Sequence, residues 1–221
     1  MKRFYLLIFL MLMGFVGRAP AADVLNVKSG DIFLNMGNKN GVSFGTIFNV
    51  YRNKEVEAEF GNLKLTTRIF IGRVYAYKVA KTQTVARIKE LPSVSNAENK
   101  AVLMGDVAQP AFILSADNLF KVGDNNVLAT GVSKLERLLR FVKRFKALKI
   151  RVESHCDNGV ENATKATRAQ ARSIRDWLVK KGKIDEKLFV PIGYGDQKPL
   201  VSNATEEGQQ RNRRIEVIVE D

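Results

Sequence analysis

Apolar and polar positions along this chain follow two regimes. From Val24 to about Val107, short apolar or alternating runs are broken by turn residues: Ile32 to Leu34, Thr46 to Arg52, Arg68 to Val79 and Thr84 to Ile88. Runs of that length and β-branched content predict strands. Gly37-Asn38-Lys39-Asn40-Gly41 is the strongest turn signal, because Gly and Asn tolerate positive φ. Gly45, Gly61, Gly72 and Gly105 mark further turns or bulges. No helical period appears before Val127. The spacing predicts a small all-β barrel or sandwich over residues 22–109.

Beyond Pro110 the pattern becomes mixed. Phe112 to Leu114 is a short strand, and Leu128, Val132, Leu135, Leu138, Leu139, Val142 and Phe145 then recur at three- and four-residue steps, an amphipathic helix. Leu148, Ile150 and Val152 alternate with Lys149, Arg151 and Glu153 as a half-buried strand. A second helix runs from about Ala163 to Lys181 and stops at Gly182. Strands follow at Leu188 to Ile192 and at Ile215 to Val219. In the last, Ile215, Val217 and Val219 share one face, and Glu216 and Glu220 the other. The order β-α-β-α-β-β over residues 110–221 implies helices on one face of a mixed sheet, so the chain as a whole is α+β.

The N-terminus adds a destination. Lys2 and Arg3 precede an apolar run from Phe4 to Val16, and Ala19-Pro20-Ala21 follows. This predicts a secretory signal peptide, residues 1–21, cleaved after Ala21. A retained anchor is the alternative, but the apolar run falls short of the roughly 20 residues a spanning helix needs. The leader contains no cysteine, which excludes a lipid-anchored mature N-terminus. With Lys2, Arg3 and Arg18 removed, the charge is 33 − 23 = +10. In an exported protein that excess points to anionic envelope polymers or lipid headgroups, not to nucleic acid. Cys156 is the only cysteine, so no internal disulfide forms, and burial is its expected state.

The C-terminal stretch IGYGDQKPLVSNATEEGQQRNRRIEVIVED orders Gly193-Tyr194-Gly195, Pro199, Asn203, Gly208 and Asn212-Arg213-Arg214. That order resembles the end of the OmpA-like domain family, which includes peptidoglycan-associated lipoproteins and flagellar stator proteins. The resemblance covers the whole second half, from ILSADNLFKVGDNNVL onward. In the first half, IFLNMGNKNGVSFGTIFNVYR, IGRVYAYKVAKTQTVARI and MGDV resemble the C-terminal β domain of flagellar assembly protein FlgT and related envelope proteins. That segment carries no chemical motif and reads equally as a generic β interaction module.

The resemblance implies a binding site after the strand at 148–153. In the family, an aspartate takes the ammonium of diaminopimelate in the wall peptide and an arginine takes its carboxylate as a fork. Hydroxyl, amide and backbone N–H groups at a helix start complete the grip. Here the matching positions are Asp157 for the aspartate, Cys156 for the preceding threonine and Thr167 for the family serine, with Asn158 and Asn162 nearby. The family leucine and asparagine fall on Ala166 and Ala163. The family arginine falls on Gln170, and two residues are missing from the loop before the helix. A neutral amide in place of a charge-assisted fork implies roughly tenfold weaker binding. Arg172 is no substitute, because two residues along a helix turn a side chain by about 200°. Arg168, Arg213 or Arg214 could reach in from elsewhere, although Arg213 and Arg214 read more readily as partners of helix or loop acids. Asp157 also has a plainer reading, as an exposed loop acid capping the second helix.

Other chemistry finds little support. His155 and Cys156 are neighbours on an extended segment and point to opposite faces, which argues against a nucleophile–base pair. One His and one Cys do not make a zinc site. Lys134, Arg137, Arg140 and Arg144 form a basic stripe on the first helix. The reading is a non-enzymatic periplasmic protein, with no cofactor or metal, that binds peptidoglycan through its second half and a protein partner through its first. The alternative is a degenerate docking module with the same fold and no wall ligand.

Overall fold

The computed structural model describes residues 21–57, 64–93, 101–121 and 124–220. The predicted signal peptide, apart from Ala21, and Gly61 lie outside the described residues. The apolar runs of the first half form β1 (Ala22–Lys28), β2 (Asp31–Leu34), β3 (Ile47–Glu57), β4 (Lys64–Val79), β5 (Thr84–Glu90) and β6 (Val107–Ser115). All their pairings are antiparallel, with neighbours in the order β1-β2-β5-β4-β3-β6. Strand β6 pairs back to β1 through Ala22↔Ala108 and Asp23↔Val107, which closes the pairing into a ring. Ile32, Leu34, Phe48, Val50, Ile71 and Val74 are buried in one core. The Asn38–Asn40 turn follows Gly37 and ends on Gly41 at φ +93°.

Strand β6 belongs to both halves. Val107 to Ala111 pair with β3, while Ala111 to Ser115 pair with the last strand, β9 (Arg214–Glu220). Pro110 stands between the last residue paired to β1 and the first paired to β9, a position where its missing N–H is tolerated. The expected division at residue 110 therefore falls at a change of neighbours within a continuous strand.

The second half follows the predicted order. Helix α1 (Val132–Arg144) buries Leu135, Leu138, Phe141 and Val142, and β7 (Lys149–His155) follows it. Helix α2 (Ala163–Gly182) buries Thr167, Ala171, Ile174 and Leu178 at helical spacing, then hands over to β8 (Phe189–Gly195), parallel to β7. Strand β9 lies antiparallel between β6 and β7. One element was not anticipated. The polar segment before β9 holds a short helix, α3 (Glu206–Asn212), started by Thr205, whose hydroxyl accepts from the Gly208 N–H. Its polar composition and Gly208 leave no apolar period to read.

The polar face of β9 is where the structure departs most from expectation. Glu216 and Glu220 alternate with the core residues as predicted, yet they are only 4% and 5% exposed. Residues of β3 and β4 cover this face. Arg73 Nη2 donates to Glu216 Oε1 at 2.6 Å and Asn49 Nδ2 to its Oε2 at 2.7 Å, while Arg214 Nε donates to Oε1 at 2.6 Å. Arg151 sits 2.7 Å from both Glu153 and Glu220. Burial by itself would raise the Glu216 pKa. Arg73 and Arg214, with His155, outweigh it and hold the carboxyl well below the ordinary range.

Removing one member of such a cluster leaves a buried charge uncompensated. Glu216→Gln is expected to lose about 3–5 kcal/mol at neutral pH. Because the folded pKa is depressed, the stabilisation is complete above about pH 4.3, the unfolded value, and is lost as pH falls below it. Urea unfolding from neutral to acid pH should therefore show the gap between wild type and variant narrowing below that point. A gap independent of pH would contradict this account.

Candidate functional site

The segment after β7 and the start of α2 are held together by backbone proximity. An added Cβ on Gly193 would lie 2.2 Å from the Arg168 backbone nitrogen, so the helix rests directly on β8 there. Thr167 Oγ1 donates to the Ala163 carbonyl at 2.7 Å and accepts the Gly195 N–H at 2.9 Å. The Gly-Tyr-Gly pattern thus supplies close helix–strand contact, and the Thr167 hydroxyl is committed to it. Cys156 donates its backbone N–H to the Gly195 carbonyl at 3.0 Å, which fixes the exit from β7.

Asp157 is buried, not the exposed cap of α2 that the plainer sequence reading supposed. Its Oδ1 accepts the Gly159 N–H at 3.0 Å, and its Oδ2 pairs with Arg213 Nη1. Arg213 Nε also bridges both oxygens of Asp117, at 2.9 and 3.0 Å. These two acids, Asp117 first, raise the guanidinium pKa further above its usual value. Of the three arginines considered from sequence, Arg213 is the one that reaches Asp157. Arg168 is exposed along α2. Arg214 turns to the other face of the sheet and pairs with Glu216, a strand acid.

Asn212 completes the motif by stitching the preceding loop. Its Oδ1 accepts from the Leu200 and Val201 N–H groups at 2.8 and 3.2 Å, and its Nδ2 donates to the Val201 carbonyl and to Asn203 Oδ1, both at 2.8 Å. The three consecutive residues therefore serve three places: loop, candidate site and buried network.

Gln170 faces the site, as the helical register required. Its Oε1 accepts from Ser154 Oγ at 2.9 Å and its Nε2 donates to the Asp124 carbonyl at 3.1 Å, so both ends of the amide are occupied. The space among Cys156, Thr167, Gln170, Phe120 and Arg213 is a cavity of about 30 Å³, room for little more than one water. Asn158 is exposed. Asn162 adopts a left-handed conformation (φ +49°) at the start of α2 without capping it, and lines a wide groove along the outer helix face. The six residues singled out from sequence are thus divided: Cys156, Thr167 and Gln170 share the cavity with Arg213, Asp157 adjoins it through Arg213, and Asn158 and Asn162 lie apart. Asp117, Asp124 and Ser154 were missed, because each joins the site only through folding.

Residues 119–213 match the model of the OmpA family, and that segment is an OmpA-family domain. Outer membrane porin F of Pseudomonas aeruginosa is 30% identical over 106 residues, 47% of this chain and 30% of that protein. Peptidoglycan-binding protein ArfA of Mycobacterium tuberculosis is 32% identical over 87 residues, 38% of this chain and 26% of that protein. A solved structure of the cell wall anchor of the T6SS from Pseudomonas aeruginosa aligns with a TM-score of 0.47 at 27% identity, covering 51% of this chain and 81% of that one. The chain spans less than half the length of the curated relatives it matches. The family match begins at Leu119 and so does not bear on the FlgT resemblance of the first half.

Burial, aided by Asp196 and Asp157, pushes the Cys156 thiol up to about 11. Native protein at about pH 8 is expected to resist iodoacetamide and to react fully once unfolded in urea. Rapid native alkylation, followed by mass spectrometry, would show the thiol to be open and ionised.

Proposed function

We propose that this chain is an exported, non-catalytic envelope protein whose OmpA-family domain binds peptidoglycan stem peptides at Asp157. In this reading residues 1–21 are removed on export to the periplasm, and the six-strand ring contacts another envelope or motility component. The observation that carries the proposal is the Asp157–Arg213 pair beside the start of α2, within the segment that matches the family. The relative ArfA, named as peptidoglycan-binding, supports it.

The pair also suggests how the site works without the family arginine. The ammonium of diaminopimelate competes with Arg213 for Asp157, and the displaced guanidinium is then free to take the adjacent carboxylate as a fork. Gln170, already spent on Ser154 and Asp124, contributes position more than affinity.

A second reading rests on the same commitments. With the Gln170 amide and Thr167 hydroxyl both occupied and only about 30 Å³ of space between them, the domain also suits a docking role with no wall ligand.

Sedimentation with purified sacculi across a salt series separates the two readings. Wall binding predicts a salt-resistant fraction, because exposed electrostatic attraction is screened away. Asp157→Ala should then weaken binding by about tenfold or more, and Gln170→Arg should tighten it by about tenfold. Thermal melts of each variant exclude misfolding. Joint release of wild type and Asp157→Ala as salt rises would favour the docking role.

A further inference from the structure

On the face of the sheet opposite the helices, a cavity of about 430 Å³ opens where β3 and β4 cross β7, β8 and β9. That volume falls in the range of small-molecule sites. None of the residues assigned to wall binding lines it.

Its floor holds an unusual group. His155 is 2% exposed, and among the described residues neither ring nitrogen has a hydrogen-bond partner. Nε2 lies 3.6 Å from Glu153 Oε2 and 3.9 Å from Glu216 Oε1, both lining residues and both beyond hydrogen-bond reach. Those carboxylates are engaged elsewhere, Glu153 with Arg151 and Glu216 with Arg73 and Arg214. Burial lowers the His155 pKa, so the ring is neutral and offers one donor and one acceptor. The imidazole stacks on Tyr194 at 5.2 Å between ring centroids, and its edge also borders the small cavity near Cys156.

The mouth has the opposite character. Arg68 is half-exposed and lies 3.8 Å from Glu220, a carboxylate that already sits 2.7 Å from Arg151. Lys198 Nζ lies 3.7 Å above the Tyr194 ring, and among the described residues no carboxylate pairs with it. Two weakly held cations at an opening attract an anion. Tyr51 and Phe70 give the wall an aromatic surface suited to a ring.

We propose that this cavity binds a small ring-bearing organic anion, a carboxylate or phosphate carried on a sugar or aromatic ring. The anionic group sits between Arg68 and Lys198, the ring lies against the aromatic wall, and a polar atom of the ligand hydrogen-bonds to His155. This site does not rest on the wall-binding reading.

His155 is the only histidine in the chain, so untagged protein shows one set of imidazole C–H signals by NMR. The probes are N-acetylmuramic acid, glucose 1-phosphate and phenyl phosphate, each beside a neutral partner (N-acetylglucosamine, glucose, phenol) and inorganic phosphate alone. At least one ring anion is expected to shift the imidazole signals saturably while its neutral partner does not. The sugar acid and the phosphates distinguish the two sources of charge. Arg68→Ala combined with Lys198→Ala should raise the midpoint at least tenfold with the melting temperature retained, and Asp157→Ala should leave it unchanged. The proposal is overturned if no ring anion shifts His155 at about 10 mM, weaker than a built site allows. It is equally overturned if neutral partners act alike, if inorganic phosphate alone reproduces the effect, or if the double variant binds as wild type does.

Discussion

Glu216 carries a charge on a carboxyl that is only 4% exposed, and the groups that compensate it come from both halves of the chain. Arg73 and Asn49 approach from β4 and β3, and Arg214 from the start of its own strand. A carboxylate in that position is tolerable only while every partner stays in place, since an uncompensated buried charge costs several kcal/mol. The ring of strands and the helix-covered sheet are therefore held in one relative arrangement by electrostatic necessity as well as by the continuous β6. Ion pairs of this kind add less to net stability than their number suggests, because each is offset by desolvation.

The same sheet consequently presents two chemically different faces. Toward the helices it is apolar, and α2 lies so close to β8 that glycine is required at position 193. Toward the ring it is lined with charge. Strand β7 ends where the two faces meet: Ser154 holds Gln170 on the helix side, and His155 turns toward the charged cavity. Two candidate ligand sites thus stand back to back across one strand end, one nearly filled by its own side chains and the other open.

The Asp157 site is closed by internal partners. Arg213 neutralises the acid, and Gln170 is tied at both ends. A site of this kind binds only by exchange, in which each new contact replaces an existing one, so affinity depends on the difference between the two.

Local pattern was sufficient for most elements. Strands β2 to β5 and β7 to β9, helices α1 and α2 and the turn at 37–41 each follow from a period or a turn residue within a few positions. The register that turns Gln170 toward the sheet, where it meets Ser154, and leaves Arg172 exposed follows from the apolar period of α2. What lay beyond the sequence depends on distant residues. Helix α3 has no apolar stripe, because its role is to carry Asn212 to the loop at 200–203. Glu216 and Glu220 alternate as a solvated face should, and nothing local reveals that β3 and β4 cover them. Asp117 and Arg213 are 96 positions apart before they meet. Periodicity records which side of an element is polar. Only the packing of remote strands decides whether that polar side meets water, a partner charge or a cavity, because burial belongs to the assembled surface and not to the segment.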